Sequence, residues 1–186
     1  MKKYLFVILF IGFFNPLQAQ DIFDAYQNNE EVTYVSVSPK MFQLLARMTV
    51  NSADKEAQEF IQMVSSITNF RVLVSGNKSI AAEMESWVNQ AAQKESLENL
   101  MEVKEDENEI TFYVAQDASA TKVNKLLMYS KGKIPVKNSE IQLNGKSIDS
   151  VLLLLEGDID LDQVAMLTEK MDLPGGDQLK KVKPQK

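Results

Sequence analysis

Residues 150–171 read Ser-Val-Leu-Leu-Leu-Leu-Glu-Gly-Asp-Ile-Asp-Leu-Asp-Gln-Val-Ala-Met-Leu-Thr-Glu-Lys-Met, and we expect the rest of the fold to be built around this segment. Within it, residues 151–155 are consecutive aliphatics with no polar alternation. A strand of this kind is covered on both faces, because a strand with one face in water alternates apolar and polar side chains. The stretch therefore predicts a strand in the middle of a sheet, followed by an amphipathic helix.

The rest of the chain supplies further strands and helices around this central strand. Alternating runs rich in β-branched and aromatic residues predict strands, whereas apolar residues at i, i+3, i+4 and i+7 predict amphipathic helices. We predict strands at residues 32–38, 69–75, 100–104, 109–115, 123–130 and 140–143, and helices that begin near Pro39, Asp54 and Ser79. The predicted apolar face of the helix at Pro39 consists of Met41, Phe42, Leu44, Leu45 and Met48.

The predicted order is βααβα, then several strands and a C-terminal helix. It indicates an α+β fold, with a mixed, largely antiparallel sheet and about four helices packed mainly on one face. Two turn signals support antiparallel neighbours: an acidic loop at residues 105–108, and Asn144-Gly145, which suits a type I′ turn. Trp87 falls in the middle of a predicted apolar helix face, where we expect a core anchor.

The first residues have the pattern of a secretory signal peptide. Lys2 and Lys3 precede an apolar run at residues 4–14, and Asn15-Pro16 interrupts the chain shortly before Ala19. The run is shorter than the roughly 20 residues of a transmembrane helix, so we predict export, with cleavage after Ala19, to the periplasm or the exterior. The predicted organisation is a signal peptide at 1–19, a single domain at 20–173 and a disordered basic tail at 174–186.

The chain contains neither cysteine nor histidine. Disulfides, thiolate and imidazole metal sites, and the Ser-His-Asp and Cys-His catalytic arrangements are therefore excluded. We also expect no lipid anchor, because lipoprotein processing needs a cysteine at the cleavage point. The 20 Lys and Arg against 26 Asp and Glu give a net charge of −6, which argues against a nucleic-acid partner.

The acidic residues after the central strand are candidates for a metal site. Asp158, Asp160, Asp162 and Glu169 occupy positions 1, 3, 5 and 12 of a calcium-loop register, but position 6 is Gln163 where glycine is required. Asp160 and Gln163 instead fit a capping box at a helix start. Capping explains more of the pattern, and it leaves Asp158 and Asp162 as weak metal candidates. We predict no catalytic and no cofactor-binding residue.

Three segments resemble a known protein family. Residues 35–42 (VSVSPKMF), 100–103 (LMEV) and 157–161 (GDIDL) are similar to the family catalogued as domain of unknown function 4252, small exported proteins of Bacteroidota. The resemblance covers nearly all of the mature chain. It implies an exported α+β domain with no established catalytic residues and a link to envelope signalling. Some members resemble lipoproteins, and this chain departs from them by lacking the lipid-bearing cysteine.

These observations predict an exported cell-envelope protein that acts as a non-enzymatic binding or protein-interaction module. We expect an envelope protein as its partner, no cofactor, and no transmembrane or lipid anchor after cleavage. The alternative is a carboxylate-dependent hydrolase or a divalent-cation-binding protein in the periplasm. The acidic residues at 102–109 offer carboxylates for such chemistry, but a solvated hairpin tip favours a solubilising turn.

Overall fold

The computed structural model describes residues 21–49, 58, 61, 64–116, 122–132 and 148–161. The helices are α1 (Ile22–Tyr26), α2 (Pro39–Thr49) and α3 (Lys78–Lys94), and Gln58, Ile61 and residues 64–66 are also helical. The strands are β1 (Val32–Val37), β2 (Ile67–Ser75), β3 (Glu98–Glu105), β4 (Asn108–Gln116), β5 (Lys122–Lys131) and β6 (Ser150–Asp160). Within these described ranges, no helix has the length and apolar character that crossing a membrane requires.

The strands form one six-stranded sheet in the order β1-β2-β6-β5-β4-β3, and every neighbouring pair is antiparallel. β6 lies between β2 and β5, where Leu153 is opposite Val72 on one side and Met128 on the other. None of the five aliphatic side chains at 151–155 exposes more than 5% of its surface. The α+β class and the central position of this strand are therefore confirmed.

Alternate side chains of β6 belong to two separate cores, one on each face of the sheet. On one face, Leu153 packs in a cluster with Phe42 of α2. On the other face, Leu152 packs in a cluster with Phe23 of α1 and Met84 of α3. The prediction that the helices pack mainly on one face is not confirmed, because a strand that is apolar on both faces needs a covering layer on each.

One helix and one helix cap differ from the sequence prediction. The sequence analysis does not predict α1, because five residues are too few to show a helical period; Asp21 caps this helix by accepting a hydrogen bond from the Phe23 N–H at 3.0 Å. α3 is capped by Asn77 rather than by Ser79. The Asn77 side-chain oxygen accepts hydrogen bonds from the backbone N–H groups of Ser79 and Ile80.

The acidic hairpin is present where the sequence places it. β3 and β4 pair in antiparallel register across Asp106 and Glu107, and Asp106 adopts a left-handed φ of 52°. Other predictions lie outside the described residues: the signal peptide, the strand at 140–143, the Asn144-Gly145 turn, the C-terminal helix beyond Leu161 and the tail at 174–186.

Candidate functional site

The two edge strands of the sheet, β1 and β3, differ in charge. β3 reads Glu-Asn-Leu-Met-Glu-Val-Lys-Glu and has a register irregularity between Asn99 and Met101. Charged side chains and bulges protect an edge strand from pairing with another chain. β1 reads Val-Thr-Tyr-Val-Ser-Val, carries no charge and pairs with β2 without a register shift. Of the two edges that the described strands form, β1 is thus the one without this protection.

Exposed apolar side chains lie on β1 and α2. Val35 exposes 42% of its surface, Met41 exposes 49% and Leu44 exposes 52%. Phe42 is buried between them in the sequence, and its ring centroid lies 6.2 Å from that of Phe70 on β2. Met41 and Leu44 are three residues apart, which places them about 60° from each other around the helix. They therefore share a side of α2 that Phe42 does not occupy.

The Val35 side chain points to the face of the sheet on which α2 lies. It lies directly opposite Val72, which belongs to the same core cluster as Phe42, and directly opposed residues in an antiparallel pair point to one face. We refer to the outer edge of β1 together with Val35, Met41 and Leu44 as the β1–α2 surface. It combines unpaired strand backbone with apolar side chains that the described residues leave exposed.

The charges around the β1–α2 surface are separated along β1. Residues 32–49 contain no Asp or Glu, and their charged residues, Lys40 and Arg47, are both exposed. Glu30 and Glu31, which are also exposed, immediately precede β1. The start of the strand is therefore acidic and its end is basic, in a chain whose net charge is −6.

On the α3 face of the sheet, Lys125 bridges two carboxylates. Its Nζ atom lies 2.5 Å from Glu95 and 3.0 Å from Glu156, and the Asn69 amide donates a hydrogen bond to Glu156 at 2.8 Å. Burial raises the pKa of Glu156, but the hydrogen bonds from Asn69 and Lys125 outweigh burial and hold this pKa below its usual value. Glu156 is therefore an ionised, fully engaged carboxylate, which favours a structural role over general acid catalysis.

Lys131 makes a second bridge of the same kind on this face. Its Nζ atom lies 2.7 Å from Glu85 of α3 and 3.0 Å from Glu109 of β4, and hydrogen bonds to these two carboxylates raise the pKa of Lys131. Lys104 pairs with Glu102 and lies 3.6 Å from Glu109. Two carboxylates of the acidic stretch at 102–109, Glu102 and Glu109, are thus held by lysines, and Lys131 connects α3 to the sheet.

A cavity of about 520 Å³ lies beside the C-terminal end of α3. Trp87 is half-buried here and packs edge-on against Phe23 with ring centroids 5.8 Å apart, in agreement with a core anchor. The carboxylates in the lining already have cationic partners, since Asp21 lies 2.8 Å from Arg71 and Glu95 pairs as described above. This cavity is a weaker ligand site than the β1–α2 surface. Its lining consists of Asp21, Trp87, Gln90, Ala91, Gln93, Lys94 and Glu95.

The predicted metal candidates are not brought together by the described structure. Asp158 is exposed and its Oδ2 atom lies 2.8 Å from the Nζ atom of Lys122, whereas Asp162 lies outside the described residues. In the part of the chain that the structure covers, no group of three acidic side chains is arranged to hold a metal ion. Asp160 ends β6 and Leu161 is helical, whereas Gln163, the other residue of the predicted capping box, lies outside the described residues. The metal site stays a prediction.

The sequence analysis misses the β1–α2 surface because it assigns Met41 and Leu44 to the buried face of α2. That assignment is wrong for both residues. Apolar residues at 41, 42, 44 and 45 span a wider arc than one helix buries against a sheet. Phe42 therefore packs against the sheet, and Met41 and Leu44 remain exposed to solvent. The width of this arc, together with the uncharged sequence of β1, is the signal that identifies the surface.

Comparison with known proteins gives one match. The profile of a family described as "Domain of unknown function (DUF4252)" matches residues 26–167, a span that includes all six strands and the β1–α2 surface. No curated protein and no solved structure matches the chain.

Proposed function

As the chain belongs to the DUF4252 family, we propose that it is an exported, non-enzymatic module of the cell envelope that binds a protein through its β1–α2 surface. The observation that carries this proposal is the combination of an uncharged edge strand with three exposed apolar side chains beside it. Natural edge strands are usually protected by charge, bulges or cover. An edge without such protection is a surface on which another strand can pair.

The physical basis of binding is strand addition. About half of the backbone N–H and C=O groups of an edge strand point away from its neighbour and are available to an incoming strand. These main-chain hydrogen bonds supply affinity, while pockets for side chains supply specificity. Fully burying a Val, Leu or Met side chain contributes about 1.5 to 3 kcal/mol. Val35, Met41 and Leu44 are about half exposed, so a partner that covers them gains about half of that amount from each.

The ionic clusters support a non-enzymatic role. Glu109 and Glu156 pair with lysines, and the pKa of each lies below its usual value. A general acid needs a pKa raised towards the working pH, so these shifts run in the opposite direction. Export is supported by the predicted signal peptide, and the family resemblance supports a connection with envelope signalling.

Binding is tested by comparing proteins captured from an envelope extract by the wild-type chain, by Val35→Lys and by Gln90→Lys. The first variant places a charge on the edge strand, and the second places the same charge on an exposed position of α3 outside the β1–α2 surface. We expect at least one protein that the wild type and Gln90→Lys retain and Val35→Lys loses, with circular dichroism showing that both variants fold. Identical captures by all three proteins would contradict the proposal.

Export is tested separately by fractionation of cells that produce the full chain with a C-terminal tag. We expect the tagged protein in the periplasmic or extracellular fraction, with Gln20 as its first residue by N-terminal sequencing. Retention in the cytoplasm, or a chain that still begins at Met1, would refute this part of the proposal.

A further inference from the structure

Residues 30–40 are complementary to themselves when the segment runs in the opposite direction. They read Glu-Glu-Val-Thr-Tyr-Val-Ser-Val-Ser-Pro-Lys, with acidic residues before β1, an uncharged strand, and Lys40 after it. We infer that the partner of the β1–α2 surface is a second copy of this chain, bound by antiparallel pairing of two β1 strands centred on Val35. This inference rests on the proposed function and specifies the partner.

Antiparallel pairing restricts the registers that two identical strands can adopt. Residues directly opposite each other point to the same face of the sheet, and successive residues along one strand point to opposite faces. A twofold-symmetric pair must therefore be centred on a residue and not between two residues. With Val35 at the centre, Thr33 lies opposite Val37 and Tyr34 lies opposite Ser36.

The exposure of Val35 selects it as the centre. Val35 is the exposed apolar residue of β1, and in this register the same residue of the second copy covers it. A pairing centred on Tyr34 would place Val35 opposite Thr33 instead. The charges at the two ends support the antiparallel direction: Glu30 and Glu31 lie in the turn before β1 and Lys40 lies in the first turn of α2, so the acidic end of one strand comes near the basic end of the other.

The pairing joins two six-stranded sheets into one continuous sheet. Because opposed residues share a face, the α2 helices of both copies lie on the same side as the central Val35 pair. Met41 and Leu44 therefore add apolar area near the contact. β1 is about 20 Å long and α2 about 16 Å, so the buried area falls near or below the roughly 1,200 Å² at which stable interfaces begin. We expect a reversible dimer with a dissociation constant in the range of about 1 to 100 μM.

The register can be tested by disulfide formation, because the chain has no cysteine of its own. In Val35→Cys the two sulfur-bearing residues face each other with Cα atoms about 4.5 to 5.5 Å apart, within the range that a disulfide spans. Thr33→Cys is the matched control, on the same face of the same strand. Its two cysteines are four residues out of register and therefore about 13 Å apart along the strand. Under mild oxidation we expect a covalent dimer from Val35→Cys and none from Thr33→Cys.

A mixture of two single variants tests the same register from its flanks. Thr33→Cys mixed with Val37→Cys should form a mixed disulfide, because these residues are opposed when Val35 is the centre. Equal cross-linking of Val35→Cys and Thr33→Cys alone would indicate random collision and overturn the inference. A Val35→Cys chain that stays monomeric under oxidation would overturn it as well.

The end contacts can be tested by sedimentation equilibrium of charge variants. Glu30→Lys and Lys40→Glu each weaken the attraction between the acidic end of one strand and the basic end of the other, and each should raise the dimer dissociation constant by about 2- to 30-fold. The double variant restores opposite charges and should return to within about threefold of the wild type. A double variant as weak as the single variants would refute the antiparallel pairing.

The outcomes separate this inference from the proposed function. A wild-type chain that is monomeric at about 100 μM, while Val35→Lys still loses a captured protein, would overturn the self-pairing and leave the proposed function supported by a different partner. A dimer that Val35→Lys abolishes and Gln90→Lys preserves would support the self-pairing even if the extract yields no second protein.

Discussion

Replacing Leu152 or Leu153 by alanine tests whether both faces of β6 are buried. Leu152 packs on the α3 face and exposes 0% of its surface, whereas Leu153 packs on the α2 face and exposes 5%. Truncating a fully buried leucine to alanine costs about 2 to 5 kcal/mol, through lost transfer free energy and the cavity that remains. Since both residues are buried to nearly the same degree, each substitution should lower the free energy of unfolding by about 3 kcal/mol.

The matched control is Val35→Ala, which also shortens an aliphatic side chain in a strand but at a position with 42% exposure. We expect this change to cost less than about 1 kcal/mol when all three variants are compared well below the dimer dissociation constant, where Val35 is exposed. Urea unfolding followed by circular dichroism and by the fluorescence of Trp87, the sole tryptophan, measures all three variants, with equal m-values establishing that the same transition is compared. A cost below about 1 kcal/mol for either leucine variant would refute burial of that face.

Four further substitutions, the last of them a control, test single structural features. Gly157→Ala should cost about 1 to 3 kcal/mol in thermal melts, because φ is +146° and a Cβ would collide with the Ser66 carbonyl oxygen; an unchanged midpoint would refute this. Hydrogen bonds from Asn69 and Lys125 hold the pKa of Glu156 below that of an ordinary glutamate, so its stabilising contribution is complete above the unfolded pKa and is lost as pH falls through the folded pKa. Glu156→Gln should therefore be less stable than the wild type in urea at about pH 7, the difference should shrink as pH falls through the folded pKa, and a difference that does not shrink would contradict the pairing. Asp160→Ala should cost about 1 kcal/mol by removing the predicted cap, whereas Asp158→Ala, which removes an exposed carboxylate, should have a smaller effect on the melting midpoint.

The centre of the sheet could be predicted because its signal is local. Five consecutive aliphatic residues at 151–155 predict a strand that is buried on both faces, and this prediction does not depend on the rest of the chain. The acidic hairpin has a local signal too, since the two alternating runs on either side of residues 105–108 need a short turn between them. Structures that depend on a few adjacent residues are thus the ones that the sequence predicts correctly.

The placement of the helices depends on longer-range packing and could not be predicted in the same way. An amphipathic pattern shows that a helix has an apolar side but not which face of the sheet it covers. α1 has only five residues, and Phe23 is buried through its contacts with Trp87 and with the guanidinium group of Arg71, which lies 4.4 Å from the Phe23 ring centroid. These contacts join residues about 50 to 65 positions apart in the chain, so no local pattern predicts them.

β1 and β6 show why the candidate site is the part that sequence reasoning misses. Both strands have long uncharged runs, and such a run alone is typical of an interior strand. β6 is an interior strand, because β2 and β5 pair with its two edges and helices cover its two faces. β1 has one edge without a paired strand, because β2 is its sole neighbour among the described strands. Strand order therefore leaves an uncharged strand at an edge of the described sheet, and strand order is set by the pairing of residues far apart in the chain.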